Sequence, residues 1–247
     1  MKTIKSVLRL LAVPATLSLC ACAAIDPGHV NLEGSDHSVT SLGGELRLNL
    51  NEHSTRSGKT TKSWLEYGVI NSNGAFTQTL TGSETIGIDG SVISGPATLS
   101  AKLDVREHYF RYVKDVTLHH NLGLSVGGGI KGSDVDVTVA TSSQRLSSES
   151  GGMGGYNILA SLRYSPMEHL NIEAILDHTF SITFFFPFYK DWGYITDKRL
   201  QLCYLGIENL HLCAGHRFWS ARIDNIVDHA IVNADLSGPV AFIRYEF

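Results

Sequence analysis

Residues 239–247 of the chain read PVAFIRYEF. Every second residue back from the end gives Phe247, Tyr245, Ile243 and Ala241; between them stand Glu246, Arg244, Phe242 and Val240. Strict alternation of this kind marks a β-strand, whose successive side chains point to opposite faces. One face is aromatic and aliphatic, and the other carries two charges. The pattern recurs upstream. Leu42, Leu46, Leu48 and Leu50 oppose Glu45, Arg47, Asn49 and Asn51; Leu170, Ile172, Ala174 and Leu176 oppose Asn171, Glu173 and Asp177. Helical periodicity is almost absent, and no apolar run after residue 25 approaches the ~18 residues of a membrane helix.

Two further features shape the expectation. The alternating segments run roughly 9–13 residues, the length a tilted membrane-crossing strand needs rather than the ~5–6 of a soluble one. Connections also alternate in length. Short turns are expected near 71–74, 113–115, 165–168 and 207–209, and long links near 52–61, 131–152, 184–196 and 223–233. The 24 glycines and 6 prolines of the 247 residues suit a β-rich chain with many turns.

The first residues, MKTIKSVLRLLAVPATLSLCACAAID, place Lys2, Lys5 and Arg9 ahead of an apolar stretch too short to span a bilayer, followed by small residues. This reads as a secretory signal. Leu19, Cys20, Ala21 and Cys22 resemble a bacterial lipobox with Cys22 as the acylated residue; cleavage at a small-residue site around Ala21 and Ala23 is the alternative. The expected organisation is a signal peptide over 1–21, a periplasmic linker over 22–40 and one β-domain over 41–247. Removing Lys2, Lys5 and Arg9 leaves 17 basic against 24 acidic side chains, a balance that argues against nucleic acid as partner.

The export signal, the alternating strands and the terminal FIRYEF together resemble the bacterial outer-membrane β-barrel superfamily. The resemblance implies an all-β fold: a closed antiparallel up-and-down transmembrane β-barrel of about ten strands, or eight if 75–90 is a link. It also implies an outer-membrane location, contact with lipid and lipopolysaccharide, a monomeric state, and a C-terminal signal (Ile243, Tyr245, Phe247) read by the barrel-assembly machinery. Short periplasmic turns and longer outer loops belong to the same expectation.

On this reading the charged faces line the interior. Glu45, Arg47, Lys102, Asp104, Arg106, Arg163, Glu173, Asp177, Arg217 and Arg244 are the expected interior charges, with Arg163–Glu173 and Glu45–Arg244 as candidate pairs. A barrel of eight to ten strands has an interior just wide enough for side chains, and buried charges there need partners. The expected role is therefore structural or surface-interacting, with a host or surface ligand possible through the links 131–152 and 184–194 and a largely plugged lumen. The alternatives are a narrow solute channel or an outer-membrane enzyme acting on lipid A or peptides. Catalytic chemistry finds little support. Asp177 and His178 point to opposite faces of one strand, Asp228 and His229 lack a second acidic pair, and His216 with Ser220 lacks a surrounding motif. No cofactor and no metal set is expected; His119 and His120 lack a third ligand. Cys203 and Cys213 lie five residues either side of Glu208, so a hairpin centred there sets them opposite each other, within disulfide reach in an oxidising compartment.

Overall fold

The architecture is that of a computed structural model, described over residues 29–32, 39–54, 59–82, 85–88, 91–141, 145–149, 153–181, 191–225 and 230–247. The segment 1–21, Cys22, Asp228 and His229 lie outside the described residues. Every regular element among them is a strand: β1 His29–Leu32, β2 Val39–Ser54, β3 Thr60–Leu80, β4 Thr85–Ile88, β5 Ser91–Ser94, β6 Ala97–His119, β7 Leu122–Ala140, β8 Arg145–Glu149, β9 Met153–Met167, β10 Leu170–Phe180, β11 Asp191–Ile207, β12 Leu210–Asn225 and β13 Ala230–Glu246.

Nine strands form a ring in the order β2-β3-β6-β7-β9-β10-β11-β12-β13, and β13 pairs back onto β2. β4 and β5 make a separate hairpin, and β8 folds back on β7. Successive ring strands are antiparallel, but the closing seam is parallel, from Val240↔Ser41 to Glu246↔Arg47. Parity requires this: a chain that reverses at every step runs in its first direction again on its ninth strand. The ladder continues to the last residue, where Phe247 N donates to Arg47 O (2.8 Å) and Asn49 N to Phe247 O (3.2 Å). β1 lies further along the same edge of β13, His29 beside Ile231 and Leu32 beside Ala234.

The expected count of ten, or eight, is thus corrected to nine, and the ring begins and finishes at opposite ends. Two expected turns are strand interior: 71–74 lies within β3 and 113–115 within β6. The polar composition of 71–74 has another cause, since Asn71 and Asn73 face outward where the outside of the ring is polar. Residues 75–80 complete β3 rather than starting a further strand. The expected linker 22–40 contains β1 and the start of β2. The turn at 208–209 is where expected, with Asn209 at φ 60°, a left-handed conformation that asparagine tolerates.

Following the pairing once around the ring gives its dimensions. From Tyr245 the register runs through Leu46, Tyr67, Phe110, Ile130, Tyr156, Phe180, Tyr194 and Arg222 to Asn233, twelve residues up β13 from the start. At about 3.3 Å per residue and about 4.8 Å between strands, this stagger tilts the strands by about 43° and gives a radius of about 9 Å. Such an interior is filled by side chains. Two-residue turns 120–121, 168–169 and 208–209, the link 55–59 and the C-terminus share one end. The other end carries 81–96, 141–152, 181–190 and 226–229; these are called below the short-turn and long-link ends.

Inside and outside exchange character along the axis. Towards the short-turn end the outward residues are apolar, among them Leu46, Phe110, Ile158, Leu176, Leu200 and Ile243, while the inward ones are charged. Towards the long-link end Leu99, Leu103, Val105, Val139, Trp219 and Leu236 pack inside, joined by Ile93 of the β4–β5 hairpin, while Ser100, Lys102, Asp104 and Arg106 face outward.

Two inward glycines admit large rings. Gly68 faces Tyr109 across β3–β6, and Gly43 faces Phe242 across the seam; a Cβ would fall 2.2 Å from Tyr109 Cζ in the first case and 2.3 Å from the Phe242 ring in the second. Gly68→Val should therefore lower unfolding stability by about 1–3 kcal/mol through overpacking. Gly44→Val, whose Cβ would meet nothing nearer than 3.9 Å, should stay within about 0.5 kcal/mol. Denaturant titration of the two variants checks the pair; equal losses would count against this packing.

Candidate functional site

The chemistry-bearing residues converge on the interior at the short-turn half. Among the described residues, seven carboxylates (Glu45, Glu66, Glu107, Asp115, Glu173, Asp177, Asp197) and six cations (Arg47, Arg111, Lys131, Arg199, Arg217, Arg244) are buried there. Their order follows the register. Glu246, Arg47, Glu66 and Arg111 occupy one hydrogen-bonded row across β13, β2, β3 and β6, so neighbours have opposite charge: Arg47 lies 3.5 Å from Glu246 and 2.5 Å from Glu66, and Arg111 lies 2.6 Å from Glu66. In the next inward row Arg244 contacts Glu45 at 2.8 Å across the seam, and the Tyr109 hydroxyl donates to Glu45 (2.6 Å) over the space left by Gly68.

A second set of contacts crosses the ring between strands that are not neighbours. Arg111 reaches Asp177 on β10 (2.7 Å), Arg244 reaches Glu173 (3.0 Å), and Arg217 of β12 meets Glu107 of β6. Lys131 of β7 joins Glu107 on the adjacent β6 (2.8 Å) to Asp177 on β10 (3.4 Å). Neutral donors take up remaining lone pairs: Asn157 to Asp177 (2.5 Å), Gln201 to Glu173 (2.9 Å), Trp64 to Asp115 (3.0 Å) and Trp219 to Glu107 (3.2 Å). A buried charge costs several kcal/mol unless it is paired and hydrogen-bonded. Here nearly every one has two or more partners, and the links tie opposite walls together.

Of the expected interior charges, Glu45, Arg47, Glu173, Asp177, Arg217 and Arg244 are in this network. Glu45 and Arg244 pair as expected. Arg163 is opposite Glu173 in register, but Arg244 occupies Glu173, and Arg163, partly exposed near the short-turn end, lies 4.0 Å from Asp115. Lys102, Asp104 and Arg106 are corrected to the outside: Lys102 is 63% exposed and pairs with Asp104 at 2.7 Å, and Arg106 donates to Asn71. Their strand alternates without a slip, but at that level its apolar residues face inward. Glu107 and Arg111 went unrecognised because they share the face of Leu103 and Val105, which was expected to be outward, Asp115 because 113–115 read as a turn, Lys131 because 131–152 read as a link, and Asp197 and Arg199 because they follow directly on the expected link 184–196. The signal was present in β6, where Glu107, Arg111 and Asp115 oppose Phe110, Tyr112 and Val116.

Ile243, Tyr245 and Phe247 all face outward. Asp177 faces inward while His178 turns to Thr196 (2.8 Å), and His216 and Ser220 share the outer face of β12. No cluster of three or more potential metal ligands occurs among the described residues. Cys203 and Cys213 are register partners on β11 and β12 and are joined as a disulfide inside the ring, beside Ile70, Tyr109 and Phe242. Comparisons with protein-family models, curated proteins and solved structures found no match to this chain.

Two outcomes follow from the network and the bridge. Arg111→Met strips partners from Glu66, Asp177 and Glu45 and should cost about 3–5 kcal/mol, whereas Lys102→Met at its exposed pair should cost under about 1 kcal/mol; equilibrium unfolding compares them. Non-reducing peptide mapping should recover a fragment pair joined through Cys203 and Cys213. Complete alkylation of both thiols in denatured, unreduced protein would contradict the bridge.

Proposed function

We propose that this chain is an outer-membrane β-barrel whose lumen is plugged by its own side chains, and that its role is structural or surface-interacting rather than conductive. The observation that carries the reading is the apolar outer band set over the charged interior. Outward apolar positions span 42–50, 110–118, 122–130, 156–164, 170–180 and 210–218, nine to eleven residues each. At a tilt of about 43°, nine residues rise about 22 Å along the axis, close to the ~25 Å apolar band of an outer-membrane barrel. Tyr164, Tyr204, Tyr245 and Phe247 gather at its short-turn edge, and Tyr156, Phe180, Tyr194 and Phe218 towards the other, in the manner of aromatic girdles. Lys114 and Lys198 stand near the edges, where long stems bring the ammonium to water.

Beyond the band the ring has the polarity of a soluble protein, which suits a section standing clear of the membrane on the side of the long links. Both levels are closed, one by cross-ring ion pairs and the other by packed aliphatics, so a solute channel is disfavoured. Lipid and lipopolysaccharide are the implied surroundings, the assembly machinery the implied reader of Phe247, and a surface ligand would meet the long links.

Paired substitutions test the membrane reading. Leu200→Arg, at mid-band, should cost about 2–4 kcal/mol of folding into bilayers and reduce the fraction that resists detergent unfolding when unheated. Ser100→Arg, outward but beyond the band, should behave as wild type. Equal behaviour of the two variants, in a protein that fractionates as soluble, would defeat the proposal. Stepwise conductance of the wild type in planar bilayers would defeat the plugged lumen alone.

A further inference from the structure

We infer that the polypeptide enters this barrel from the outer, long-link side, so that β1 stands on the cell-surface side while the end of β13 faces the periplasm. The inference rests on the membrane reading for its orientation; its geometry comes from the seam. β2 runs parallel to β13, so the end of the ring at which β13 begins is also the end at which β2 begins. β13 begins directly after the link 226–229, Ala230 pairing with Asn225 of β12. β1 gives the decisive position: His29 lies beside Ile231, one residue from that link's return point, and the pairing descends to Leu32 beside Ala234.

The chain then spends more residues than its partner before the main ladder starts. From His29 to Ser41 is twelve positions, against nine from Ile231 to Val240, a difference of three residues. Every feature of the short-turn end lies at the opposite pole: the turns 120–121, 168–169 and 208–209 and the last residue, Phe247. An even-stranded barrel returns both termini to one side of the membrane. Nine strands cannot, and with the short turns on the periplasmic side it is the first strand that starts on the other.

This reverses the expectation of a periplasmic segment ahead of the first strand.

The test uses the full-length protein expressed in a Gram-negative host, with one epitope per variant: immediately ahead of His29, within 226–229, or between Glu168 and His169. Antibody should label the first two on intact cells and the third only after the outer membrane is permeabilised. An epitope ahead of His29 that needs permeabilisation, while the one within 226–229 does not, would overturn the inference and leave the barrel intact. If all three epitopes fractionate with soluble protein, the membrane reading fails first and takes this inference with it.

Discussion

Arg47 stands between carboxylates supplied by both neighbouring strands, Glu246 of β13 and Glu66 of β3, and that arrangement fixes how the ring can close. The seam joins the first and last ring strands, the pair most distant in sequence, with Arg244 beside Glu45 and Glu246 beside Arg47. A one-residue slip would turn every inward side chain outward. A two-residue slip keeps the faces but brings either Glu246 to Glu45 or Arg244 to Arg47, setting like charges together inside the protein. Neither alternative is tolerable in an interior that excludes water, so the ion pairs act as a register key for a junction that has no turn to hold it. Register in turn decides the stagger, the stagger decides the radius, and a radius of about 9 Å leaves the interior to side chains alone.

That same interior explains why the outside changes character where it does. Charged residues can fill the ring only where enough of them meet across it, and this holds from Asp115 to Glu107 along β6. Beyond Glu107 the inward residues of β6 become Val105, Leu103, Ala101 and Leu99, and their outward neighbours become Arg106, Asp104 and Lys102. Each level thus offers one apolar and one polar surface, with opposite assignments. β9 and β10 end close to the level of the exchange, while β3, β6 and β7 run on. Long and short strands in one ring are therefore two structures sharing a wall.

The all-β character, the alternation, the turn at 208–209 and the Cys203/Cys213 pairing were legible because each depends on neighbours in sequence or on one hairpin. The strand count was not. Asn71, Ser72, Asn73 and Gly74 have the composition of a turn, and nothing local reveals that Asn71 and Asn73 line a solvent-facing wall while Ser72 meets Ser41 and Arg217 inside. Lys102, Asp104 and Arg106 were misassigned for a related reason: alternation states that two faces differ but not which one is inside. That choice depends on what the opposite wall supplies, as Trp219 and Leu236 do for Val105. Likewise Arg111 finds Asp177 only after β6, β7, β9 and β10 have been laid side by side.

The parity of the ring has a consequence for where variable chemistry can sit. The ion pairs fix one half and the packed aliphatics fix the other, so substitution inside either leaves unpaired charge or unfilled volume. On the proposed reading the outer band must stay apolar and the short turns have two residues each. What remains free to vary is the chain at the long-link end, including the polar, serine-rich 141–152 and the aromatic-rich 181–190. Loops held by a rigid scaffold are the usual site of recognition. β1, whose His29 lies beside Ile231, stands at that same end, so on the proposed reading a surface ligand would meet it together with the links.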